Sequence, residues 1–152
     1  MILRDYRPDD EPAAIALWHR TWQHAYPEID FAARLDWWRS RWRDELVPRA
    51  SIIVAEDNGA LIGFVTIEPQ SGYLDQLVVT PEQWGGRLGE QLVARVKEVA
   101  PNGITLLVNR DNARAIRFYE KCGFVFDGED VNPVSGRPVN RMAWRAAPRD
   151  CV

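Results

Sequence analysis

The sequence predicts an α/β fold of the mixed kind: a central, mostly antiparallel twisted sheet with helices on both faces. Three observations carry this reading. Residues 73–89, YLDQLVVTPEQWGGRLG, begin as a strand, with Leu74, Leu77, Val78 and Val79 apolar, then meet Pro81 and a run of glycines. Leu88, Leu92, Val93 and Val96 follow at helical spacing, so the order is strand, Gly-rich turn, helix. Asp57-Asn58-Gly59 is a hairpin turn signal between two strand-like runs. Before these strands, Trp18, Trp22 and Tyr26 recur at one helical spacing and Leu35, Trp38 and Trp42 share a helix face.

In chain order, residues 2–6 read as a short strand. The acidic, proline-containing run at 9–12 suits a helix start, and Pro27 closes that helix after Ala25. A second helical stretch covers 31–46, and Pro48 is expected to end it. Residues 51–56, 60–68 and 73–79 form three strands in an antiparallel meander, because short turns join them. A helix at 87–100, a strand at 104–108, a helix at 112–122 and a strand from Phe124 come next. The last strand, 139–145, follows a turn at 132–138. The order βααβββαβαββ implies a mixed sheet covered on both faces.

At 152 residues the chain reads as a single domain, 1–152, long enough to bury a core. Hydrophobic residues make up 46% and charged residues 27%, which marks a globular chain rather than a disordered one. A net charge of −3 gives no case for nucleic-acid or membrane-surface partners. No apolar run reaches the roughly 18 residues of a membrane span, and the first residues lack a signal-peptide shape. Two cysteines, Cys122 and Cys151, are too few for a disulfide framework, so a cytoplasmic protein with reduced thiols is expected. Two histidines and two cysteines without ligand spacing give no metal set.

The Gly-rich turn has the makings of a phosphate cradle. A helix N-terminus offers free N–H groups and the positive end of a dipole, and glycines let a phosphate approach. It is not the phosphate loop of nucleotide triphosphatases, because no Lys follows the glycines, and it fits G-x-G-x-x-G poorly. The run VTPEQWGGRLGEQLV instead resembles the acetyl-CoA loop of the GCN5-related N-acetyltransferases, V-x-P-x-x-Q/R-G-x-G-I/L-G/A-x-x-L. Val79, Pro81, Gly85, Leu88, Gly89 and Leu92 match, whereas Trp84 replaces Gln or Arg and Arg87 replaces the middle Gly. A second run, VNRDNARAIRFYEKCGF, resembles the same family's distal signature through Asn109, Asn112, Ala115, Tyr119, Gly123 and Phe124.

That resemblance implies a GNAT-like fold and an acetyl-CoA-dependent N-acetyltransferase (an acyltransferase) acting on an amine. Acetyl-CoA is the implied cosubstrate, with no metal. Its implied binding residues are Leu77, Val78 and Val79 on the strand, Trp84, Gly85, Gly86, Arg87, Leu88 and Gly89 in the loop, and Asn112 and Tyr119 beyond. A strand N–H would polarise the acetyl carbonyl, and Tyr119 would protonate the departing thiolate. A phenol of pKa about 10 is nearly matched to an aliphatic thiol, so that transfer is balanced. Without the motif, Tyr119 would read as core and Asn112 as a helix N-cap. Arg87 is expected to fold its charge over the phosphates.

The proton acceptor is expected to be Asp75, with Glu68 also beside the amine; both could equally be solvated strand carboxylates. Trp22 and Tyr26 are expected to wall the acceptor pocket with the second helix, although a helical aromatic stripe is more often core. His19 and His24 on the first helix read as structural rather than catalytic, although His24 is expected near the acceptor entrance. Cys122 is set aside as a nucleophile, since the negative end of a helix dipole raises a thiol's pKa. Direct transfer in a ternary complex follows. A non-catalytic acyl-CoA sensor on the same fold and a dinucleotide enzyme are the rival readings. The acceptor's identity and the oligomeric state, a homodimer included, stay open at this point.

Overall fold

The computed structural model describes residues 1–146. Cys151 lies outside the described residues. The chain runs β1 (Ile2–Asp5), α1 (Glu11–Ala25), α2 (Leu35–Arg41), α3 (Val47–Arg49), β2 (Ser51–Asp57), β3 (Ala60–Glu68) and β4 (Tyr73–Val79). It continues through α4 (Leu88–Val99), β5 (Ile104–Asn109), α5 (Ala113–Lys121), β6 (Val125–Val131) and β7 (Pro138–Trp144). One 7-stranded sheet forms in the order β1-β2-β3-β4-β5-β7-β6. Every adjacent pair is antiparallel except β4 with β5.

Both sheet faces are buried, which is why the central strands carry long apolar runs rather than clean alternation. On one face Val65, Ile67 and Leu106 pack against Leu88, Leu92, Val93 and Val96 of α4 and Tyr119 of α5. On the other, Val54, Phe64 and Val78 meet the aromatic residues of α1 and α2. The expected meander is present, with Asn58 at φ 51° in the two-residue turn joining β2 to β3.

One expectation needs correction. Pro48 does not end the second helix, because helical backbone continues through Val47–Arg49. A proline ring crowds the carbonyl four residues back and offers no N–H. The helix responds by widening into a π turn at Trp42–Leu46, then closes with Ala50 N–H on the Leu46 carbonyl at 2.8 Å.

Two irregularities set up the site. Thr66 faces Gln76 while Ile67 faces Leu74, so Asp75 is an extra residue bulging from β4. The bulge reverses side-chain parity: Leu74 joins the α4 side of the core and Val78 the α1 side. Beyond it, β4 and β5 pair only at Tyr73 with Thr105, so the two strands splay. Gly72 fixes this one contact. Its carbonyl accepts the Thr105 N–H at 2.9 Å, its φ is +74°, and an added Cβ would stand 2.3 Å from the Gly103 carbonyl oxygen. Gly72→Ala should therefore lower stability by about 2 kcal/mol or more, through steric overlap and backbone strain together. Urea unfolding of the two proteins checks this; an unchanged midpoint would show that the contact is soft.

Candidate active site

The splay determines which backbone groups are free. Thr80 N–H bonds to the Ile62 carbonyl at 2.9 Å, and Gln76 N–H bonds to Thr66 Oγ1 at 3.0 Å. Residues 76, 78 and 80 thus turn their N–H and C=O toward β3, and alternation turns those of Leu77 and Val79 the other way. That way is the gap between β4 and β5, where β5 is not paired with them. The Val79 carbonyl follows this rule, since it accepts the Trp84 indole N–H at 2.7 Å. The N–H groups of Leu77 and Val79 are left as unpaired donors beside a cavity of about 810 Å³, which both residues line.

The loop after β4 lines the same cavity with Trp84, Gly85, Gly86 and Gly89. Gly85 sits at φ +84° with open space where a Cβ would go, so the position is held for glycine by conformation rather than by crowding. Gly89 is held by packing. A Cβ there would be 2.9 Å from the Phe118 ring, so the missing side chain lets α4 and α5 close on each other. Leu88 is a core residue, 3% exposed, and does not line the cavity. Arg87 is exposed at the N-cap of α4, φ −97° and ψ −5°, and does not line it either.

Helix α5 brings Asn112, Arg114 and Tyr119 to the cavity. The Asn112 side-chain oxygen accepts the Ala115 N–H at 3.1 Å and caps the helix, so its carbonyl serves the fold while its NH₂ is available to a ligand. Tyr119 is 9% exposed and packs edge-on against Phe118 and Phe124. Burial pushes its phenol above the ordinary value, with smaller effects from Cys122 and Arg114. The proton is held more tightly than the sequence reading assumed. Tyr119 is therefore neutral across the physiological range and a donor.

The opposite wall comes from α1 and α2. Trp22 stacks on Tyr26 at 5.9 Å and bonds Gln76 Oε1 through its indole N–H at 3.4 Å. The Tyr26 hydroxyl donates to Asp111 at 3.0 Å and accepts from Asn109 Nδ2 at 3.0 Å, which ties α1 to the start of α5. Trp18, Trp38 and Trp42 are buried, whereas Trp37 is 43% exposed at the cavity rim. The aromatic stripe is thus core and wall at once.

Asp75 lines the cavity, but both carboxylate oxygens are engaged by Arg41, one at 2.9 Å, and Gln76 Nε2 adds a bond at 3.1 Å. Arg41 also reaches Glu45 at 3.1 Å. Glu68 is not brought to the cavity; it ends β3 opposite Tyr73, with its carbonyl holding Gly72 N–H. His24 stands edge-on to Trp84 at 5.1 Å. Cys122 does not line the cavity, and burial raises its thiol pKa. Among the described residues no group of three or more His, Cys, Asp or Glu could hold a metal, and no helix is long and apolar enough to cross a membrane.

Sequence reasoning missed Arg41, Gln76 and Arg114. Arg41 lies one helical turn from Trp38 and so shares its inward face, which was the available signal. Nothing local marks Arg114 or Gln76, since their partners are distant in the chain.

Residues 11–124 match the model of the Acetyltransferase (GNAT) family. The chain belongs to this family. It is an acetyl-CoA-dependent acetyltransferase by that membership, and the free strand amides and the glycine loop fit such a cosubstrate. Among its relatives, the peptidyl-lysine N-acetyltransferase YjaB of Salmonella typhimurium is 28% identical over 90% of this chain and 91% of its own length. A mycothiol acetyltransferase of Acidimicrobium ferrooxidans is 31% identical over 93% of this chain, but the chain spans only 46% of that protein. The apo-form solution structure of Escherichia coli YjaB superposes with a TM-score of 0.77 at 26% identity, covering 97% of this chain and all of that one.

Cys122 stands outside the cavity lining, and burial raises its thiol pKa. Cys122→Ala should keep most activity in a steady-state assay, and recovery of an acetylated Cys122 from a quenched reaction would contradict it.

Proposed function

We propose that the protein transfers the acetyl group of acetyl-CoA directly to a primary amine of a peptide or small molecule. The observation that carries this reading is the pair of unpaired N–H groups at Leu77 and Val79, lining one cavity with Tyr119. Two residues along a strand stand about 6.6 Å apart, so one of these N–H groups holds the acetyl carbonyl oxygen and stabilises the charge it develops under attack, while the other pairs with the arm that carries the thioester. The acceptor enters along the wall of Trp22, Tyr26 and Trp38, and its nitrogen attacks the carbonyl carbon. As the C–S bond breaks, Tyr119 donates a hydrogen bond and then its proton to the sulfur, and the proton released from the amine nitrogen passes through solvent in the open cavity and restores the phenol. Burial raises the phenol's pKa, so Tyr119 still holds its proton when the thiolate develops. Cys122, a half-buried thiol with a raised pKa outside the cavity lining, supports direct transfer over an acetyl-cysteine route.

A peptide lysine is the acceptor favoured by size. The peptidyl-lysine relative is matched over nearly its whole length, whereas the mycothiol relative is matched over about half. Location in the cytoplasm and action without a metal belong to the same proposal.

Asp75 takes a different part here from the one its sequence position suggested. Protonating it would leave the half-buried Arg41 guanidinium without its main anion, so a base at this place works against its own ion pair. Asp75 positions Arg41 and the acceptor wall instead. Asp75→Asn should raise KM for the amine while the shape of the pH–rate profile is kept. Loss of the acid limb of that profile would restore Asp75 as the proton acceptor. Tyr119→Phe should lower kcat about 10²-fold with CoA affinity nearly unchanged, the scale of a lost general acid. Parallel loss of affinity and rate would make Tyr119 a packing residue, and intact turnover would remove it from the mechanism.

A further inference from the structure

The cradle lacks the charge that its neighbours in sequence would supply. Trp84 stands where the family loop has Gln or Arg, and Arg87 is exposed and does not line the cavity. A cation nevertheless reaches the loop from across the gap. The Arg114 guanidinium lies over the Trp84 ring, 3.8 Å from its centroid, a close cation–π contact. Trp84 is itself fixed from two sides, by its indole N–H on the Val79 carbonyl and by the edge contact with His24. The contact between Gly89 and Phe118 keeps α5 against α4 and so holds Arg114 at the loop.

Arg114 also has no competing anion. Among the described residues it makes no salt bridge, as is true of Arg34 and Arg117 in the same lining, whereas Arg41, Arg137 and Lys121 are paired with Asp75, Asp111 and Glu90; of the unpaired three, Arg114 is the one that stands over the loop's Trp84. The carboxylates lining the cavity, Glu45, Asp75 and Glu90, are engaged elsewhere. Partial burial of Arg114 lowers its pKa, a sign that its charge lacks compensation. A guanidinium presents a planar fork of donors that matches a phosphate, and a cation–π contact holds it in place without consuming those donors.

We propose that Arg114, held over the Trp84 ring, is a pyrophosphate-binding residue for CoA, supplying from α5 the charge the Gly85–Gly86 loop lacks. The arrangement explains Trp84 as a platform rather than a lost ligand. It also replaces the sequence-based expectation that Arg87 provides the charge. The proposal rests on the acetyl-CoA reading of the cavity.

Calorimetric titration of CoA and 3′-dephospho-CoA into wild type, Arg114→Ala, Arg114→Lys and Arg87→Ala tests it, with circular dichroism to confirm folding. Arg114→Ala should weaken both ligands about tenfold or more and flatten the dependence of affinity on salt. Arg114→Lys should recover only part of the loss, because an ammonium keeps the charge but not the planar fork of donors. Arg87→Ala should stay within about twofold of wild type. Affinity and salt dependence unchanged in Arg114→Ala would overturn the proposal. A loss seen with CoA but absent with 3′-dephospho-CoA would move the contact to the ribose phosphate and overturn the pyrophosphate assignment. Failure of wild type to bind CoA at all would strike the cosubstrate reading itself, and this proposal with it.

Discussion

The single point of pairing between β4 and β5 is the constraint on which the site depends. Two parallel strands in a covered sheet would ordinarily satisfy each other along their length. Here the ladder stops after Tyr73 and Thr105, with Gly72 wedged against the Gly103 backbone. From that hinge the strands diverge, and the amides of Leu77 and Val79 stay without a strand partner. Unpaired backbone donors next to a cavity cost free energy until something accepts from them. In a thioester-using enzyme the missing partner is the ligand. The Asp75 bulge serves the same end from the other edge, since it resets β4's parity so that Val78 can face the α1 side.

Around this gap each neighbouring element has a structural and a ligand-directed role. Asn112 caps α5 with its oxygen while its amide nitrogen is free. Trp84 holds the last carbonyl of β4 and carries Arg114 on its face. Tyr26 bonds Asp111 and Asn109, and so joins the acceptor wall to the segment that starts α5. Residues of the distal motif thus reach the first helix as well as the cavity. A change in one wall should be felt in the other, because buried hydrogen-bonded networks resist piecemeal alteration.

Much of the architecture was legible in the sequence, for identifiable reasons. Strand and helix signals at Tyr73–Val79 and Leu88–Val99 were strong because Pro81 and the glycines bound them sharply. The Asn58-Gly59 turn was equally clear. Pro48 misled because a local rule was applied without the π turn that accommodates it. The family and its cosubstrate were readable from two motifs. What stayed hidden were contacts between residues far apart in the chain. Asp75 looked like a free carboxylate until Arg41, on another element, was seen to occupy it. Arg87 looked like the cradle's cation because it is adjacent in sequence, whereas Arg114 is adjacent in space. Glu68 was placed near the site by its position at a strand end, and the turn to Gly72 carries it elsewhere.

The central claim is that the splay exposes the Leu77 and Val79 amides to the acetyl-CoA thioester arm. Amide-resolved hydrogen exchange by NMR, without and with acetyl-CoA, tests it most directly. In the free protein Leu77 and Val79 should exchange fast while Gln76, Val78 and Thr80 are protected by β3, and ligand should slow Leu77 and Val79 selectively. Protection of Leu77 and Val79 already in the free protein, or no change in either when the ligand is bound, would contradict the account.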